Sequence, residues 1–168
     1  MSLAIHWRRE KEGTDPMRYL DDVFRYAMAR LGQREEAEDI AIEVVHAMPN
    51  PCFRRDLRLY MIGVARRKVA DHLRNPRWRD RAGLEVRERP DHARDVSRDE
   101  AILVDEALHK LSPEHREVLV LKYVIGLTSA EIAKSLGKQS PAVDSLLQRA
   151  RDSFAKAWES PSSEEVNP

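Results

Sequence analysis

Residues 131–151, EIAKSLGKQSPAVDSLLQRAR, carry side chains suited to contact with a nucleic acid. Gln148 can offer a donor and an acceptor to a base edge, and Arg149 and Arg151 are suited to phosphates, which position a protein without specifying sequence. Asp144 sits among them, and its negative charge would face phosphate. A second group lies at residues 54–82, where ten arginines and lysines stand against Asp56, Asp71 and Asp80, a balance of +7. No nucleophile, base and orienting group stand at motif spacing, so no catalytic residues are expected and the chain is read as no enzyme. Four Cys/His ligands at finger-like spacing are also absent, so no metal and no cofactor are expected.

The elements that must position these residues read as helices. Charged residues make up 35% of the 168, aromatics 6%, and there are six glycines. Helix formers dominate, which favours an all-α protein. Cys52 is the one cysteine, so no internal disulfide can form, and a reducing cytoplasm is the natural setting. No apolar run approaches membrane-spanning length, and the first residues lack the apolar core of a signal peptide. Basic and acidic residues balance at 29 each, but they are segregated. Residues 33–48 carry −4 and residues 85–106 again −4, on either side of the basic run. Such separation predicts different surfaces for different partners.

Along the chain, residues 1–16 read as a flexible leader. A helix over 17–31 carries Val23, Phe24, Ala27, Met28 and Leu31 as one stripe, with Gly32 as its cap. A helix over 35–48 buries Ala37, Ile40, Ala41, Val44, Val45 and Met48, with acids mostly on its other side. A helix over 56–73 buries Leu59, Ile62, Ala65, Val69 and Leu73 and leaves arginines outside. Residues 76–98 lack a sustained apolar period and read as a polar linker. The expected architecture is therefore two small helical domains, over 17–75 and 99–158, with a disordered tail at 159–168. In the second, Leu103, Ala107, Leu108 and Leu111 form a first stripe. Ser112-Pro113-Glu114 opens a helix carrying Val118, Leu119, Leu121 and Val124. Thr128 and Glu131 match a capping box.

Counted from Ser129, the small Ala133 stands fifth and Gly137 ninth, with Ile132, Leu136, Val143 and Leu146 at the fourth, eighth, fifteenth and eighteenth places. A helix-turn-helix needs a small residue where its helices cross, a positive φ in the turn and four apolar residues between the helices. The alternative is an ordinary antiparallel pair of helices in a bundle.

The longer run LSPEHREVLVLKYVIGLTSAEIA, continuing through the hairpin, resembles region 4 of sigma-70 family initiation factors, most closely the extracytoplasmic-function (ECF) group. ARLGQREEAEDIAIEVVHAM resembles regions 2.1–2.2, and RLYMIGVARRKVADHLRN resembles regions 2.3–2.4. The resemblance covers roughly residues 18–75 and 99–158. It implies a cytoplasmic sigma factor that binds core RNA polymerase at the β′ clamp and β flap, recognises −10 and −35 elements and assists strand opening. Partners so implied are the polymerase, promoter DNA and an anti-sigma factor, with no small-molecule substrate.

Residue by residue, the resemblance places Glu36, Asp39, Ile40 and Glu43 on the polymerase clamp, the bland counterpart being a solvated acidic helix face. Strand opening needs cations for phosphates and a pocket for an unstacked base. Arg54, Arg55, Arg58, Arg66, Arg67, Lys68 and Arg74 supply the charge; Phe53 and Tyr60 supply aromatic area, and Asn50 with Phe53 would hold the flipped base. Tyr60 departs from the family's usual tryptophan and reads better as a core residue. The −35 element would meet Lys138, Gln139, Ser140, Ala142, Asp144, Ser145, Gln148, Arg149 and Arg151. Many relatives carry cations where this chain has Asp144 and Leu146. Asp144 therefore either accepts from a cytosine amine or pairs with a nearby cation such as Lys138. An alternative function for the whole chain is a sigma-like protein that binds an anti-sigma factor without reading promoters. His46, His72, His109 and His115 read as packed or phosphate-neighbouring residues, not metal ligands.

Overall fold

The computed structural model describes residues 15–48, 56–75 and 98–159. All regular elements among them are helical, and among these described residues no helix is long and apolar enough to cross a membrane. The chain divides into two compact units, residues 1–90 and 91–168.

Among the described residues of the first unit, the earliest element is a 3-10 turn, Pro16–Tyr19, where the 17–31 expectation places ordinary α-helix. Pro16 has no N–H to contribute, and the Asp15 carboxylate accepts from the Met17 N–H at 2.9 Å, tightening this entry. Helix α1, Leu20–Leu31, buries Val23, Tyr26, Ala27, Met28 and Leu31. It stops at Gly32, whose φ of 71° lets its N–H return to the Met28 carbonyl. Helix α2, Arg34–His46, turns Ala37, Ile40, Ala41 and Val44 inward and sets Glu35 and Glu36 in its first turn, where the helix dipole favours carboxylates. Helix α3, Leu57–Arg74, buries Leu57, Met61, Ile62, Val64, Ala65 and Val69. All three pack on one another, α1 meeting both α2 and α3. Leu59 and Leu73, expected on the core face of α3, are only half-buried.

The second unit holds α4, Arg98–Lys110; α5, Pro113–Leu119; α6, Ser129–Leu136; and α7, Ser140–Glu159. Helices α4, α5 and α6 all pack on α7. Ser112 caps α5, its hydroxyl accepting from the His115 N–H. Arg116 on α5 donates to the carbonyls of Leu108 and His109 at 2.8 and 2.7 Å, satisfying groups that the end of α4 would otherwise leave orphaned. A π turn, Val120–Val124, extends α5. In it the Ile125 N–H reaches back five residues to the Val120 carbonyl. That extra residue shifts the helical phase and turns Tyr123 outward, 61% exposed, amid an apolar run. Leu103, expected in the core, is 41% exposed. Next to it, Val104 on α4 is 37% exposed and lines a cleft.

Two glycines make opposite predictions for stability. Gly137 has φ of +64°, whereas Gly63 lies inside α3, and a Cβ would meet nothing within 4 Å at either. Gly63→Ala is expected to stabilise the protein by roughly 0.5–1 kcal/mol through helix propensity. Gly137→Ala is expected to destabilise it by about 1–2 kcal/mol through the left-handed backbone alone. Thermal unfolding of the two variants checks both signs.

Candidate nucleic-acid interface

The hairpin of α6 and α7 is built from local rules upward. Thr128 and Glu131 cap α6 reciprocally: the Thr128 hydroxyl accepts from the Glu131 N–H at 3.2 Å, and the Glu131 carboxylate accepts from the Thr128 N–H at 2.8 Å. Gly137 then takes the left-handed conformation, and the Lys138 N–H donates to the Ala133 carbonyl at 2.9 Å. The Gln139 carbonyl accepts from both Ala142 and Val143, starting α7. Ile132, Ala133, Val143 and Leu146 are buried, and Leu136 is half-buried.

Burial of Val143, Leu146, Leu147 and Ala150 fixes which side of α7 faces outward. Lys138, Gln139, Ser140, Ala142, Asp144, Ser145, Gln148, Arg149 and Arg151 all stand at exposed positions. Their hydrogen bonds differ. The Ser145 hydroxyl donates to the Pro141 carbonyl at 3.0 Å. Gln148 donates to Asp152 at 3.0 Å and accepts from Arg151 at 3.5 Å. Arg149 donates to the Ser145 carbonyl at 3.4 Å. Lys138 pairs with Glu114 at the start of α5, 3.1 Å away. Of the two alternatives left open for Asp144, a cytosine amine or a nearby cation such as Lys138, the second is not formed: Asp144 has no hydrogen-bond or ion-pair partner among the described residues.

Tyr123 is a residue the sequence pattern passes over. Its hydroxyl accepts from Arg151 Nε at 2.8 Å, fastening the π turn to α7. Both side chains line an apolar cleft of about 360 Å³, together with Val104, Leu108, Leu119 and Phe154. Arg151 is thus a rim residue of this cleft as well as an exposed cation. Only the switch from α to π winding brings Tyr123 out, and helical periodicity does not announce that switch.

In the first unit, Asn50, Phe53, Arg54 and Arg55 lie outside the described residues. On α3, Arg67 and Arg74 are exposed, while Arg58, Tyr60, Arg66 and Lys68 are partly buried. Cations of α3 face carboxylates of α1 and α2. Arg58 donates to Asp22 at 2.6 Å, Lys68 donates to Glu43 at 2.7 Å, and His72 Nε2 lies 3.0 Å from Glu36. Arg74 pairs with Asp71 at 3.1 Å. Glu36 and Glu43 are therefore already engaged with α3, while Asp39 is exposed. Ile40 needs correction as a docking residue. It is 5% exposed and packs inward, and the outward apolar residue of α2 is Ile42, 51% exposed. Among the described residues no cluster of His, Cys, Asp and Glu could hold a metal ion.

Comparison with known proteins agrees with this geometry. Residues 101–153 match the family model described as sigma-70, region 4. The chain is 30% identical over 150 residues to the ECF RNA polymerase sigma factor BldN of Streptomyces coelicolor, covering 82% of this chain and 56% of that protein. It thus spans little more than half of BldN. It is 31% identical over 139 residues to the ECF RNA polymerase sigma factor SigL of Mycobacterium tuberculosis, covering 76% of this chain and 77% of SigL. The fold resembles the sigma factor RpoE from Bartonella quintana, solved with the anti-sigma factor NepR, at a TM-score of 0.65 and 19% identity over 85% of this chain and 93% of that one. It also resembles CnrH, solved with the cytosolic domain of CnrY, at 0.60 and 22% identity over 84% of each chain.

The ion pairs of the first unit are measurable by double-mutant cycles. Glu43→Gln with Lys68→Met is expected to give a coupling of about 0.5 kcal/mol, because Glu43 is well exposed. Asp22→Asn with Arg58→Met, which is less exposed, is expected to give about 1 kcal/mol. Both couplings should shrink at 1 M salt. Equal, salt-independent values would contradict this ordering.

Proposed function

The chain belongs to the ECF group of the sigma-70 family, and from that premise we propose that it binds core RNA polymerase, recognises a promoter at its −10 and −35 elements and assists strand opening. The observation that carries this reading is the outward stripe of α7, held by a hairpin whose turn, caps and small core suit entry into a major groove. Region 4 then reads the −35 element through residues 138–151. Gln148 and its neighbours meet base edges, and Arg149 meets phosphate.

In the first unit, α2 docks on the β′ clamp through Glu36, Asp39 and Glu43, an acidic face suited to a basic partner. Ile42 adds an apolar contact to that face in place of Ile40. Residues 49–75 hold the opened −10 strand: Arg54, Arg55, Arg58, Arg66, Arg67, Lys68 and Arg74 attract phosphates, and Asn50 and Phe53 receive the unstacked base. Tyr60, half-buried, serves mainly as packing. The polymerase supplies the chemistry, and the protein acts in the cytoplasm. An anti-sigma factor is a further partner in this reading, as NepR is for RpoE. The basic run at residues 54–82 weighs against a sigma-like protein without promoter recognition, which has no need to hold DNA.

Run-off transcription from a genomic promoter library with purified core polymerase tests the reading. Promoter-specific transcripts are expected. Stable core binding without transcripts, or no core binding, would sink it. A paired variant refines the assignment: Arg66→Ala with Arg67→Ala should lower promoter melting, read by permanganate footprinting, by roughly tenfold or more from two lost phosphate contacts. Core binding should survive. Equal loss of both activities would remove these residues from the strand-holding role.

A further inference from the structure

We infer that Asp144 is a specificity-determining residue that accepts a hydrogen bond from the exocyclic amine of one cytosine in the −35 element; the inference rests on the promoter-reading function proposed above. Pro141, Asp144, Ser145 and Gln148 share the outward side of α7, opposite the buried Val143, Leu146, Leu147 and Ala150. Their polar groups are not equally available. The Ser145 hydroxyl has given its hydrogen to the Pro141 carbonyl. The Gln148 amide is held along the helix, donating to Asp152 and accepting from Arg151. Asp144 alone of these three polar side chains makes no hydrogen bond among the described residues, whereas Ser145 keeps its lone pairs and Gln148 keeps one N–H and one lone pair for a base edge. The cation that could have neutralised it, Lys138, is turned to Glu114.

A carboxylate is an acceptor only, with two oxygens and no hydrogen to give. That limits what it can read in a major groove. Guanine presents the acceptors N7 and O6, which a carboxylate repels, and thymine presents O4 and a methyl group. Adenine presents an amine beside the acceptor N7. Asn and Gln match that pair with one donor and one acceptor, whereas a carboxylate satisfies the amine and repels N7. Cytosine presents its N4 amine without a neighbouring acceptor on the same base. It is therefore the base that a bare carboxylate discriminates best. The same charge repels phosphate at every sequence, so Asp144 lowers affinity generally and restores it where the cytosine stands. This behaviour is specificity by a repulsive element joined to one attractive contact.

The test uses the full chain assembled with core RNA polymerase on promoters randomised across the −35 element, for the wild type, Asp144→Ala and Asp144→Asn. The wild type should enrich cytosine at one position by roughly tenfold over thymine. Asp144→Ala should lose that preference at that position while keeping the others. Asp144→Asn should shift it toward adenine. If the wild type enriches a −35 sequence and Asp144→Ala retains every preference, this inference fails while the promoter-reading function stands. A uniform gain of binding at all sequences in Asp144→Ala, with a steeper salt dependence, would also overturn it, leaving Asp144 with phosphate repulsion only. No enrichment of any −35 sequence by the wild type would remove the promoter-reading function and this inference together.

Discussion

Val143, Leu146, Leu147 and Ala150 give α7 a single inward side, and its outward polar groups stand where they do because those four are buried. Burying a Leu or Val side chain is worth roughly 1.5–3 kcal/mol, whereas a typical hydrogen bond nets about 0.5–1.5 kcal/mol. The apolar stripe therefore sets the rotation of the helix, and the polar side chains accept the directions left to them. The same holds for α2 and α3, whose buried stripes leave the acids of one beside the cations of the other. In each unit, packing decides first and electrostatics works within the result.

Zero net charge acquires a local meaning from this arrangement. The acidic helix α2 and the basic helix α3 lie in one unit; Lys68–Glu43 joins them at short range, while Arg58–Asp22 ties α3 to α1. Part of the contrast visible along the sequence is thus neutralised within the unit. Arg67, exposed on α3, and Asp39, exposed on α2, remain as sites where charge faces solvent. In the second unit Lys138 is likewise held by Glu114. Arg58, Lys68 and Lys138 are thus placed by carboxylates of their own unit.

What the sequence reveals follows the range of the interaction responsible. The capping box at Thr128 and Glu131 and the left-handed Gly137 involve residues a few places apart, and spacing alone announces them. Helical stripes are legible for the same reason, and the all-α class follows from them. Ile40 is misread because it shares a side of α2 with Glu36 and Glu43, four places after one and three before the other, and that side meets α3: the longer carboxylates reach Lys68 and His72 while Ile40 between them is buried. Tyr123 escapes because a single extra residue in the π turn breaks the period on which the reading depends. The pairs Lys68–Glu43 and Arg58–Asp22 span 25 and 36 residues, and no local rule links them. They appear only once the helices are packed.

The short turn between α6 and α7 has a thermodynamic side. Gly137 caps one helix, Gln139 starts the next, and Lys138 between them is tied by its N–H to Ala133. Few backbone torsions remain to be frozen when a surface meets α7. Ordering a flexible segment on binding commonly costs several kcal/mol and leaves a large heat-capacity signature. A preorganised hairpin avoids most of that loss. Its association heat should then come mainly from surface desolvation and new polar contacts rather than from folding.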